Sequence, residues 1–131
     1  MMLEALADRL NSASVATTAT NLFIGLMPTT PDLCVAIYEY SGSAPLEVMT
    51  DNDATLERPS VQIIVRGGRN DYPTARTLIE NVRDNLTDIS NETISGERFL
   101  RVMALSSINA LGVDDNDRPR FSLALQAVVE R

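Results

Sequence analysis

The first apolar positions, Leu3, Leu6, Ala7 and Leu10, recur at the spacing of one helical face, and Glu4, Asp8, Arg9 and Asn11 occupy the other. This pattern predicts an amphipathic helix at the amino terminus. Residues 11–20 are almost all Ser, Ala and Thr, which fits either a weak extension of that helix or a loop. The short apolar run 22–27, closed by Pro28 and Pro31, predicts a strand or an extended approach to one. Residues 33–40 (LCVAIYEY) are rich in β-branched and aromatic side chains and predict a strand, with Ser41-Gly42-Ser43 as the turn that ends it. Residues 41–58 then lack a clear period and collect Glu47, Asp51, Asp53 and Glu57 before the first base, Arg58. They predict an exposed acidic excursion, and a loop of that length in a compact domain is usually functional or mobile.

Residues 59–67 (PSVQIIVRG) alternate around a core of Val61, Ile63, Ile64 and Val65 and are the clearest strand in the chain, stopped by Gly67-Gly68. Asp71 is placed to cap a helix with Pro73 in its first turn, and Ala75, Leu78, Ile79, Val82 and Leu86 give that helix one apolar face as far as about Thr87. Beyond it, 92–95, 99–107 and 120–129 predict three consecutive strands, joined by Ser95-Gly96-Glu97 and by a turn over 112–119. The order helix, strands, helix, strands, with short connections at the end, indicates an α+β fold. Its mostly antiparallel sheet packs on the principal helix (about 71–87) and the amino-terminal amphipathic helix. With 131 residues the expectation is one domain over 1–131, large enough to bury roughly two-thirds of its unfolded surface.

Charge narrows the possibilities. Eleven basic residues against eighteen acidic ones leave a net charge of −7, which disfavours an extended basic surface for gripping phosphate backbones. Every base is Arg, and the chain has neither His nor Lys. A His general base, a His metal ligand, a Schiff-base Lys and a phosphate-loop Lys are therefore excluded together. The lone cysteine, Cys34, sits in an apolar run with no partner thiol and reads as a small buried hydrophobe. Glu4 and Asp8 stand where an export signal carries bases, and no stretch approaches the roughly 20 apolar residues of a membrane span, so no membrane association is expected.

Three constellations invite chemistry and do not sustain it. Asp51-Asn52-Asp53 and Asp114-Asp115-Asn116-Asp117 are acidic enough for a hard cation. A calcium loop begun at Asp51 would, however, need Gly at Leu56 and Glu at Gln62, and one begun at Asp115 meets Pro119. They read as solvated turns, and neither a metal nor a cofactor is expected. Arg66-Gly67-Gly68-Arg69 suggests an anion cradle, but no Lys-Ser/Thr follows it and it reads as strand-to-helix punctuation. Serine nucleophiles lack a base, and the aromatic residues (Phe23, Tyr38, Tyr40, Tyr72, Phe99, Phe121) are not interleaved with bases as base-stacking platforms are. No catalytic residue is assigned, and a carboxylate-only enzyme is the weakest alternative.

Three segments together carry a resemblance. They are 57–86 (ERPSVQIIVRGGRNDYPTARTLIENVRDNL), the hairpin Ile94-Ser95-Gly96-Glu97-Arg98-Phe99, and the closing RPRFSLALQAVVER. With the upstream PDLCVAIYEYSGSAP, they make residues 28–131 similar to the tail-terminator and minor capsid proteins of long-tailed bacteriophages. The resemblance implies a virion structural protein of the tail and neck, assembled in the host cytoplasm. Such a protein forms a homo-hexameric ring on the head-proximal end of the tail tube, stops tube growth and offers a docking face to the head. Its implied partners are further copies of itself, the tail tube protein and a head-completion or connector protein, with genomic DNA passing through the lumen unbound. On that reading Glu47, Asp51, Asp53 and Glu57 face the lumen or the head-side partner, where negative charge lets DNA slide. Arg66, Arg69, Arg118 and Arg120 fork onto carboxylates of a neighbouring subunit. The alternatives are a connector of the neck and, from another class, a small acidic protein-binding module.

Overall fold

The structure is a computed structural model that describes residues 2–47 and 55–130, with the side chains of 40–47 and 55 outside the description. The chain begins with helix α1 (Met2–Ser12), whose Met2, Leu3, Ala5, Leu6, Ala7 and Leu10 are buried, as the periodicity predicts. Strand β1 (Leu22–Ile24) follows, then the long arms β2 (Cys34–Glu47) and β3 (Thr55–Arg66). Helix α2 (Tyr72–Thr87) lies between β3 and four strands, β4 (Ser90–Ile94), β5 (Glu97–Ala104), β6 (Asn109–Val113) and β7 (Pro119–Glu130). The Asp71 carboxylate accepts from the Thr74 N–H at 3.4 Å and Pro73 sits in the first turn, so the capping chemistry read from the sequence is present.

The strands form one curled, mostly antiparallel sheet in the order β1-β2-β3-β7-β5-β4, with β6 also paired to β7. Only β1 runs parallel to its neighbour, β2. Register places one apolar row across the middle of the sheet: Val35 opposite Val65 opposite Phe121, and Ile37 opposite Ile63 opposite Leu123. This row faces both helices, where Ala75, Ile79, Val82 and Leu86 of α2 and the buried residues of α1 close the core. Period-2 alternation in the strands and period-3.6 recurrence in the helices meet at that layer, each large side chain contributing ~1.5–3 kcal/mol by burial. The opposite face carries Ala36, Tyr38, Gln62, Ile64, Ser122 and Ala124, and both helices lie on the core side.

Three expectations change. Ser41-Gly42-Ser43 does not end the strand: β2 continues to Glu47, and register shifts on either side of Ser43 absorb the small residues as bulges. The acidic excursion is therefore largely hairpin ladder, and only residues 48–54 lie outside the described part. Pro59, which cannot donate to a neighbour, falls within the first of these shifts, between the pairs Tyr40–Ser60 and Ser43–Arg58, where a central strand tolerates it. Finally, four strands rather than three follow α2. The stretch 109–112 opens strand β6, and the turn narrows to 114–118.

Strands β5 and β6 run one after the other along the same edge of β7. Leu105 donates to the Ala124 carbonyl at 2.8 Å and Ser106 Oγ accepts from the Ala124 N–H at 3.2 Å, which carries the ladder across the gap. At the other short connection, Ser95 and Gly96 both have positive φ, +50° and +83°, the geometry of a tight two-residue hairpin turn.

Candidate assembly interface

Six of the eight interface candidates fall among the described residues and divide between two ends of the sheet. Arg66, Arg69, Arg118 and Arg120 gather where β3 ends and β7 begins, whereas Glu47 and Glu57 belong to the far end of the β2–β3 hairpin. Glu47 pairs in register with Thr55, and Glu57, half-buried, stands opposite Val129. Asp51 and Asp53 lie outside the described residues.

At the arginine end, two side chains turn inward. Arg66 is 5% exposed, and its guanidinium donates to four backbone carbonyls: Pro28 at 2.6 Å, Pro31 at 2.8 Å, Asp32 at 3.1 Å and Thr29 at 3.3 Å. Arg118, also buried, donates to the Thr29 carbonyl at 2.7 Å, to the Asp32 carboxylate at 3.2 Å and to the Asp114 carboxylate at 2.8 Å. Together they pin the proline-rich segment 28–32 across the ends of β2, β3 and β7. The fork geometry of Arg suits this, since one planar group reaches several acceptors that Lys would meet only one at a time. Gly67 donates to the Pro119 carbonyl at 2.8 Å, and a Cβ there would stand 2.7 Å from that of Ala75, so only glycine lets strand, turn and helix close together.

Asp114 organises the neighbouring turn. Its carboxylate accepts from the N–H groups of Asn116 at 2.9 Å and Arg118 at 3.0 Å as well as from the Arg118 guanidinium. Desolvation pushes its pKa up, but hydrogen bonds from the Arg118 and Asn116 backbone, and then from the Arg118 side chain, outweigh it and hold the carboxyl below its ordinary value. The acid run 114–117 is thus a self-satisfied turn, and among the described residues no group of three or more acids or cysteines could hold a metal ion.

The other two arginines differ, and only Arg69 is exposed. Arg69 is 71% exposed and meets Asp117 only loosely, at 3.4 Å. Arg120 stands opposite Arg66 in register, half-buried, and its Nε is buried without a hydrogen-bond partner. Cys34, fully buried, has its thiol pushed up by burial, an effect that the Arg66 and Arg118 charges only partly oppose, so it is a protonated packing group rather than a nucleophile.

The hydrophobic pattern of the sequence does not mark the edges of the sheet. All five residues of β6 are exposed, and no described strand lies on its outer side. Leu105, Leu111 and Val113 project there at 48%, 43% and 57% exposure, and Leu26, just past β1 at the other edge, reaches 63%. The one signal in the sequence was the charge-free run 102–113, whose exposed strand breaks the alternation by which strands are found.

Shallow hollows complete the surface. One of about 370 Å³ is lined by Leu33, Pro73, Thr74, Thr77, Leu78 and Asn81, with neither nucleophile nor base. No helix among the described residues is long and apolar enough to cross a membrane. Pinned turns, open strand edges and loosely held arginines are features of a structural subunit, which acts through the surfaces it offers to other chains.

Comparison with known proteins specifies which kind. The family described as bacteriophage tail terminator protein matches residues 9–131, and the chain belongs to that family. Its fold is similar to that of a chain from the virion of a native gene transfer agent particle, with a TM-score of 0.72 at 20% identity, covering 98% of this chain and 93% of the other. A second solved chain matches at TM-score 0.53 and 19% identity, covering 98% and 92%. No curated protein matches. The chain is accordingly a structural protein of the phage-type virion, acting in tail and head-joining assembly, and not an enzyme.

Proposed function

We propose that copies of this chain, each folded as one domain, close into a six-membered ring on the head-proximal end of the tail tube. There the ring ends tube growth and presents a face to a head-completion or connector protein. Assembly takes place in the host cytoplasm. The family match over residues 9–131 carries this reading. The net charge of −7 supports a lumen through which DNA slides without binding, with Asp51, Asp53, Glu47 and Glu57 as its contributors.

The arginines take different parts in it. Arg66 and Arg118 hold segment 28–32 within the subunit, so their effect on a neighbour is through that segment. Arg69, exposed, is the one placed to fork onto a neighbouring chain, and half-buried Arg120 is the second candidate.

A binding assay with purified tail tubes tests the reading. The protein is expected to bind one end of the tube and to limit tube length in a polymerising mixture. Binding to the portal-side assembly instead of the tube would replace the terminator with a connector. Charge reversal at Asp51 and Asp53 that leaves assembly, head joining and DNA passage unchanged would remove the lumen assignment.

A further inference from the structure

Three described strands pair on one side only: β1 with β2, β4 with β5 and β6 with β7. Strand β4 carries Glu92, whose carboxylate pairs with Arg9 of α1, whereas β1 and β6 carry no charged residue. The outward groups of Leu22 are already taken up, its N–H donating to the Thr17 carbonyl and its carbonyl accepting from Ala19, so the β1 edge opens from Ile24 toward Leu26. Four of the five exposed large hydrophobic side chains sit at these edges: Leu26 by β1, and Leu105, Leu111 and Val113 along β5–β6.

Charge points to what covers them. The chain carries 29 charged residues among 131, yet none falls in residues 10–31 or in 102–113, its two longest charge-free stretches. These two stretches hold the β1 and β6 edges, and the third edge, β4, has Glu92. Copies of a chain with net charge −7 repel one another overall, and a charge-free edge lacks the Lys or Glu by which proteins keep strand edges apart. A partner of opposite charge would have been met by acids; a second copy of an acidic chain is met by none.

We infer that the β6 edge of one copy, with Leu111 and Val113, seats on the β1 edge of the next, with Ile24 and Leu26. This deepens the ring reading above and rests on it. Because the two edges are different surfaces, the contact is heterologous: each copy offers one and receives the other, and repetition with a rotation that closes makes a ring. The shift in register between Ala110 and Gly112, with Gly112 at φ +81°, makes Leu111 the extra residue of a bulge and turns it out of the ladder toward the neighbour.

Two blocked variants test this, Leu111→Lys with Val113→Lys for one edge and Leu26→Lys for the other. All three residues are exposed, so each variant is expected to fold as wild type, checked by circular dichroism and melting temperature. Native mass is then read over a range of concentrations, with microscopy of rings on purified tail tubes. Each variant alone is expected to lose ring formation by roughly tenfold or more in the concentration required. A one-to-one mixture, which holds one intact pair of edges, is expected to stop at a dimer of unlike variants.

Rings from the β6 variant at wild-type concentration overturn the edge assignment and leave the ring reading standing. If those rings no longer bind tubes, β6 docks on the tube instead. Loss of assembly in the β6 variant alone, with Leu26→Lys unaffected, overturns the assignment in favour of β6 meeting β6. Wild-type protein that never closes, free or on tubes, overturns the ring reading and this inference with it.

Discussion

Replacing Arg66 by Ala should destabilise the subunit far more than any exposed arginine does. The Arg66 guanidinium makes four contacts with backbone carbonyls of residues 28–32, but Nη2 has only two hydrogens for three of them, so the set counts as about three bonds. A bond from a charged donor contributes ~1.5–3 kcal/mol net, which would give up to ~9 kcal/mol if all were lost without replacement. Thr29, Pro31 and Asp32 are exposed, so water satisfies much of what the substitution leaves, and the expected loss is about 2–4 kcal/mol. At roughly 3 °C per kcal/mol for a chain of this size, the melting temperature falls by about 6–12 °C. Arg66→Lys keeps the charge without the fork and should recover less than about half of the loss. The contrast is Arg69→Ala, which removes one exposed pair at 3.4 Å and should cost under ~0.5 kcal/mol. Urea denaturation of the four proteins measures all three differences. Should Arg66→Ala unfold within ~0.5 kcal/mol of wild type, or no earlier than Arg69→Ala, the carbonyl clamp does not hold the segment.

Other consequences are open to the same measurements. Gly67→Ala places a methyl 2.7 Å from the Ala75 Cβ and 3.1 Å from the Asp71 carbonyl, and should destabilise by about 1–3 kcal/mol; an unchanged midpoint would mean that the helix start is not closely packed. Phe121→Ala empties a fully buried site against which Tyr72 packs edge-on at 4.9 Å and should cost ~3–5 kcal/mol, a large share of the total stability of a chain of this size. Asp114 titrates below its ordinary value when folded, so the unfolded chain takes up that proton first. Its contribution is complete above about pH 4 and fades as pH falls through the depressed folded value. The stability gap between wild type and Asp114→Asn should therefore shrink on acidification from pH 5 toward pH 2, and a constant gap would show that the turn does not depend on the carboxylate.

The elements that the sequence made legible are those with one buried face. Leu3 to Leu10, Val61 to Val65 and Ala75 to Leu86 each repeat at the period of their element, and each packs into the common core. Strand β6 was hidden because it has no buried face: Asn109 to Val113 are all exposed, and Gly112 had the look of a turn. Ser41-Gly42-Ser43 misled for the converse reason, since pairing along two long strands overrode a local turn signal. The arginines were found by type and not by environment. Arg66 and Arg69 are three residues apart in the same strand-end punctuation, yet one is enclosed by carbonyls more than thirty residues upstream and the other is in solvent.

This division has a physical basis that bears on assembly. Alternation records which face of a strand is buried within its own chain, because that burial acts on side chains. An open edge is defined by backbone groups that have no neighbour, and every residue carries the same backbone, so composition along the strand does not reveal it. Edges become identifiable only when the strand order is known, here β1 at one side and β4 and β6 on the other. What the sequence does retain is the absence of charge, because a protein that must pair its edges with copies of itself cannot guard them with Lys or Glu. The charge-free stretches 10–31 and 102–113 carry no meaning as isolated runs of residues. Placed on the two open sides of one sheet in a chain of net charge −7, they mark where like-charged copies meet with least repulsion.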